Sequence, residues 1–83
     1  MKEKLIESVY LTFWWQTNNI RAAVFYDKET LEPIAMDILE LNGQKSFEIP
    51  LHCLMIIEEM LCRYFDKELT MMIKEKLVLR GEE

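Results

Sequence analysis

The hydrophobic repeat of this chain changes once, at Pro50, and that change restricts the fold more than any other feature. Before Pro50, apolar and polar residues alternate, the two-residue repeat of a strand. After it, apolar residues recur every three or four positions, the repeat of a helix face. The stretch from Asn42 to Phe65 contains the whole switch. Asn42-Gly43 is the strongest hairpin signal in the chain, because this dipeptide accepts positive φ at both central turn positions. Lys45 to Ile49 reads as a short strand with Phe47 and Ile49 facing the core. Pro50 suits the last strand position or the first turn of a helix, where a missing N–H costs least.

Upstream, Val9, Leu11, Phe13 and Trp15 fall on one side of a first strand, with Tyr10, Thr12, Trp14 and Gln16 on the other. Thr17, Asn18 and Asn19 form a turn signal, since Asn tolerates left-handed conformations. Ile20, Ala22, Val24 and Tyr26 share one face of a second strand, opposite Arg21, Ala23 and Phe25. A polar turn at Asp27 to Thr30 leads to a third strand within Leu31 to Leu41, with Pro33 near its start. In that strand Ile34, Met36 and Ile38 alternate with Ala35, Asp37 and Leu39.

Downstream, Leu51 to Leu79 contains neither Gly nor Pro. Leu54, Ile57, Leu61, Phe65, Leu69 and Met72 mark one helix face, and His52, Glu59, Arg63, Asp66, Thr70 and Lys74 mark the polar one. One continuous helix here would be ~43 Å long and would overshoot a four-stranded sheet. A break near Asp66, a residue suited to an N-cap, is therefore favoured over a single helix. The fold class expected is α+β: a four-stranded antiparallel β-meander followed by one or two C-terminal α-helices packed on one sheet face. The sheet should span about residues 8–49 and the helical part about 51–79, in one domain covering 1–83.

Such a layout separates two sheet faces. Phe13, Val24, Met36, Ile38, Phe47 and Ile49 belong under the helix. The opposite face gathers Tyr10, Thr12, Trp14, Arg21, Phe25, Leu39 and Lys45, with Asp37 and Glu48 beside them. Exposed rings next to cations can serve as a stacking platform for unpaired bases, at ~1–3 kcal/mol per stacked base. The same rings also fit plain β-forming residues or a dimer contact. Trp14 and Trp15 are neighbours, so only one can face the core, and a one-residue slip would exchange them.

Composition sets the limits on this reading. The chain has 83 residues, of which 51% are hydrophobic, and only two are Gly. A domain this small buries only ~60–65% of the surface its unfolded chain exposes. So much apolar surface on so short a chain points to a partner, most simply a second copy. The net charge of −5 works against a phosphate-binding surface. The local distribution matters more than the sum, and Thr12 to Tyr26 carries one charge, Arg21.

Cys53 and Cys62, ~13 Å apart along a helix, are too distant for a disulfide and are expected to be buried thiols in a reducing compartment. With one His and no ligand spacing, neither a metal site nor a cofactor is expected. There is no signal peptide pattern, and the longest apolar run is too short to span a membrane, so a cytoplasmic location is expected. No Gly-rich phosphate loop or nucleophile–base pair is present, so the expectation is a protein that is not an enzyme. His52 reads as a surface residue at a helix terminus, and Glu58 and Glu59, about 100° apart on a helix, read as solvated charge.

Ile34 to Leu41 with its Asp37-Ile38 centre, Lys45 to Pro50, and the helix from Leu51 together resemble the positive cofactor four and Whirly-like single-stranded DNA-binding fold, including related thermophilic single-strand binders. The similarity covers about Ser8 to Phe65. Lys45-Ser46 stands where those relatives carry a Lys-Gly pair. The resemblance implies a homodimer through the C-terminal helix and single-stranded DNA or RNA bound on the opposite sheet face. In that role Tyr10, Trp14 and Phe25 would stack on bases beside Thr12, while Arg21 and Lys45 neutralise phosphates. The alternative is an acidic protein-interaction module or small homo-oligomeric assembly subunit, with the same rings packed on a protein.

Overall fold

A computed structural model describes residues 5–81. Four antiparallel strands run in sequence order: β1 (Ile6–Trp15), β2 (Asn18–Asp27), β3 (Pro33–Leu41) and β4 (Gln44–Lys45). A single 3₁₀ turn, Ser46–Glu48, leads to α1 (Leu51–Tyr64) and α2 (Asp66–Leu79). The architecture is the α+β meander with two C-terminal helices.

The alternation of the strands becomes burial directly. Val9, Leu11 and Phe13 of β1, Ile20, Ala22, Val24 and Tyr26 of β2, and Met36 and Ile38 of β3 are buried on one face. Leu54 and Leu61 of α1 and Leu69 and Ile73 of α2 close over them in a single cluster. Among the described residues no charged side chain is buried, and the core is apolar apart from the Tyr26 hydroxyl. β1 pairs with β2 without interruption from Ile6–Asp27 to Trp15–Asn18. β3 pairs with β2 through two register shifts, which place Leu39 and Ile34 as extra residues between paired positions.

The helical run breaks at Phe65, whose φ of −112° and ψ of 27° leave the helical region. A straight helix of ~43 Å would exceed the molecule's longest extent of 36 Å. Asp66 is the first helical residue of α2, one position later than an N-cap. Its negative charge, with that of Glu68, favours the positive end of the helix. The break also resets the phase of the inward face. Ile73 is fully buried, whereas Met72, the expected core position, is half-buried.

Three local expectations are corrected. The first turn falls at Gln16-Thr17, with Gln16 at φ 55°. Asn18 and Asn19 instead start β2 and tie the two turns at that end together: the Asn42 side chain donates to Asn18 Oδ1 at 2.7 Å and accepts from the Asn19 N–H at 2.8 Å. The fourth strand stops at Lys45, because Glu48 folds back and accepts the Lys45 N–H through Oε1 at 3.0 Å. Phe47 is consequently 86% exposed rather than in the core, while Ile49 packs against the core. Cys53 is exposed and Cys62 half-buried, so only the latter approaches the expected buried thiol.

Leu61 lies at the centre of the contact between helix and sheet. Leu61→Ala should cost about 2–5 kcal/mol of unfolding free energy, measured by urea denaturation. Phe47→Ala should stay within about 0.5 kcal/mol of the parent.

Candidate functional site: the uncovered sheet face

Both helices lie on the inner face, which leaves the outer face of the sheet uncovered. The β1–β2 register builds the candidate site there. Thr12 is directly across from Arg21, Tyr10 across from Ala23, Trp14 across from Asn19 and Ser8 across from Phe25. Arg21 is therefore the diagonal neighbour of both Tyr10 and Trp14, a separation of ~7–8 Å at which long side chains meet. Tyr10 is 62% exposed and Trp14 69% exposed. Phe25 is half-buried and offers less of its ring. Trp15 turns inward against the core. The two tryptophans thus divide between the faces as the alternation of β1 requires.

The row continues across the sheet. Arg21 pairs with Glu40 of β3, and Glu40 pairs with Lys45 of β4. The Lys45 ammonium donates to Glu40 Oε1 in a close ion pair. That hydrogen bond, and then the Lys45 charge, hold the Glu40 carboxyl below its ordinary value, with a smaller pull from Arg21. The structure therefore brings Tyr10, Thr12, Trp14, Arg21 and Phe25 together on β1 and β2. It sets Lys45 apart at the far edge, already neutralised. Asp37, across from Ala23, adds negative charge to the β3 side. The outer face has an aromatic half and an acidic half.

On the other flank, an open groove of about 540 Å³ runs between β3 and α1, lined by Ile34, Met55, Glu58, Cys62 and Arg63 among others. Burial pushes the Cys62 thiol above its ordinary value, reinforced by the charge of Asp66. Glu58, expected to be solvated, is half-buried, and its Oε2 accepts the Ile38 N–H at 2.7 Å. Burial raises its pKa, and Asp37 adds to the rise against the lowering effect of that hydrogen bond. Its neighbour Glu59 stays exposed and pairs with Arg63 at 3.2 Å. The helical angle between these two carboxylates is what sends one to the sheet and the other to solvent. His52 is exposed in the first turn of α1, with Nε2 3.5 Å from Cys53 Sγ.

No family model, curated protein or solved structure matches the chain. Among the described residues, no helix is long and apolar enough to cross a membrane.

The raised Glu58 pKa fixes a sign. Its protonated form favours the fold, a contribution fully present below the ordinary value of 4.5 and lost as pH rises through the higher folded value. Glu58→Gln keeps an acceptor for the Ile38 N–H without a desolvated charge. Its unfolding free energy at pH 7 should equal or exceed that of the parent. Glu58→Ala orphans that N–H and should lose about 1–3 kcal/mol. Denaturant melts of both variants at pH 4 and pH 7 check the ordering.

Proposed function

We propose that this domain binds single-stranded nucleic acid, without catalysis, on the uncovered face of its sheet. The observation that carries the reading is the pair of exposed rings, Tyr10 and Trp14, on either side of the Thr12–Arg21 pair. A flat ring accepts any base, and a guanidinium between two rings can meet the phosphate that links stacked bases. The resemblance to positive cofactor four and Whirly-like proteins supports the same face, and with it an intracellular protein that works as a homodimer. On α1, the helix that the resemblance favours for a dimer seam, Ile56 and Tyr64 are exposed.

The second reading, an acidic module that binds a protein, is favoured by the Lys45–Glu40 pair. One of the two cations assigned to phosphate is already committed, in a chain whose net charge is −5. Under this reading the rings pack on an apolar patch and the β3 side selects a basic partner.

Titration with unlabelled oligothymidine at low salt separates the two. Strand binding should quench the tryptophan emission, and Trp14→Ala should weaken binding by about 1–3 kcal/mol. With Arg21 as the one uncommitted cation of the proposed site, log K should fall against log salt with a slope of about −0.7 per protomer. Glu40→Gln frees Lys45, so it should tighten binding and steepen the slope to about −1.4. An emission spectrum that does not respond to micromolar strand in low salt would sink the nucleic-acid reading.

A further inference from the structure

We propose that two copies of this chain join edge to edge through β1, antiparallel, so that their sheets form one continuous sheet of eight strands. This inference does not depend on strand binding, and it places the dimer seam at β1 instead of at the α1 surface that the resemblance implies; strand binding and the seam can each fail alone.

The backbone hydrogen bonds of β2 show which groups β1 leaves open. The Asn42 N–H donates to the Asn19 carbonyl, and the Asp27 N–H donates to the Glu32 carbonyl. Odd-numbered residues of β2 therefore turn their backbone groups toward β3. Even-numbered ones turn toward β1, and their β1 partners are odd-numbered. It follows that Ser8, Tyr10, Thr12 and Trp14 point their N–H and C=O groups away from the sheet, along its open edge.

The opposite edge is closed by several devices. β4 is only two residues long and ends in the 3₁₀ turn. Beyond it, the Ile38 N–H of β3 is taken by Glu58 of α1. β3 begins at Pro33 and carries both register shifts. Pro, bulges and covering helices are the usual protections of an edge strand. Among the described residues β1 has none of them: its ten residues run without Pro, Gly or bulge, and from Ser8 to Trp15 without charge.

A second copy is the occupant because the edge is complementary to itself. A two-fold axis at Leu11 sets Tyr10 opposite Thr12 of the other copy and Ser8 opposite Trp14. Tyr10 against Thr12 is an aromatic–β-branched pair, a kind that stabilises sheets. They would exchange about eight interchain backbone bonds. Glu7, the one charge of β1, would oppose Trp15 and not its own copy, and it is paired with Lys28 at 3.2 Å within the chain. The exposed rings of β1 would then interleave across the seam, which accounts for large aromatic side chains lying open at a strand edge.

Sizing by light scattering over a concentration series, together with amide hydrogen exchange, tests the seam. A dimer is expected, with the amides of Ser8, Tyr10, Thr12 and Trp14 at least tenfold slower to exchange in the dimer than at dilution to monomer. Thr12→Pro removes an outward N–H without touching the β1–β2 ladder, and it should yield a folded monomer. Met55→Glu with Ile56→Glu on α1 should leave the dimer intact. A chain that stays monomeric at several hundred micromolar overturns the proposal. So does a dimer in which those four amides exchange at the free-chain rate, and so does a dimer that survives Thr12→Pro but dissociates on changing α1. Should Thr12→Pro fail to fold, the amide rates of the parent chain decide alone.

Discussion

Everything in this domain follows from the burial of a single sheet face. Leu61, Leu69 and Ile73 come down from the two helices onto Ile20, Ala22, Val24 and Ile38, and all of these are fully or almost fully buried. Among the described residues, the Tyr26 hydroxyl is the one polar side-chain group buried with them. Apolar contact is not directional, so something else must fix how the two helices meet the sheet. The bend at Phe65 does this. It divides a helix longer than the molecule into two segments, each with one inward row, so that α1 serves β3 while α2 reaches across to β1. With two layers and one core, the second face of the sheet has nothing left in the described chain to cover it.

Polar groups then hold the boundaries of the sheet. At one end Asn18, Asn19 and Asn42 join the two hairpin turns. At the other, Asp27 Oδ1 accepts the Glu29 N–H at 2.8 Å, and the Thr70 hydroxyl of α2 donates to the Leu31 carbonyl at 3.0 Å. Leu31 sits at φ 63°, a left-handed position that the carbonyl of Asp27 stabilises by accepting its N–H at 2.7 Å. Along the β3 side, Glu58 satisfies an edge donor that would otherwise face the helix unpaired. In the Asn42–Asn19, Asp27–Glu29, Thr70–Leu31 and Glu58–Ile38 contacts a side chain meets a backbone group that the ladder does not reach. Among the described residues the β1 edge has no such device, and the two edges of the sheet differ in this respect.

What the sequence made legible was periodicity. The inward rows of β1, β2 and β3, the Asn42-Gly43 hairpin, the bend before α2 and the outward set Tyr10, Thr12, Trp14 and Arg21 are all where a repeat of two or 3.6 residues places them. What it concealed were contacts in which one side chain displaces an expected backbone bond. Lys45 to Ile49 alternates like a strand, yet Glu48 competes for the Lys45 N–H and turns the chain after two residues. Glu58 looked like solvated charge because its partner, the Ile38 N–H, is twenty positions away and becomes available only where β3 outlasts β4. Lys45 looked like a free cation because the register that sets it across from Glu40 depends on the turn and not on composition. Periodicity is a property of one element, whereas these contacts belong to pairs of elements.

The same pairing decides what the outer face can do. A surface that held nucleic acid chiefly by charge would need several uncommitted cations, and this one sets a carboxylate between Arg21 and Lys45. Attraction on this face must therefore come from the rings of β1, with charge in a supporting role. Rings contribute through contact area, and contact area grows when neighbouring rings form a continuous ladder. A single copy offers Tyr10 and Trp14 four residues apart on one edge strand, ~13 Å along its axis. Two copies joined at that strand would place rings from both chains within reach of each other. They would also keep the acidic halves at the far margins of the joined sheet, as distant from the ladder as the fold allows. An overall negative chain can then present a locally uncharged aromatic strip, which is the arrangement that a weakly electrostatic binder of bases or of an apolar protein surface requires.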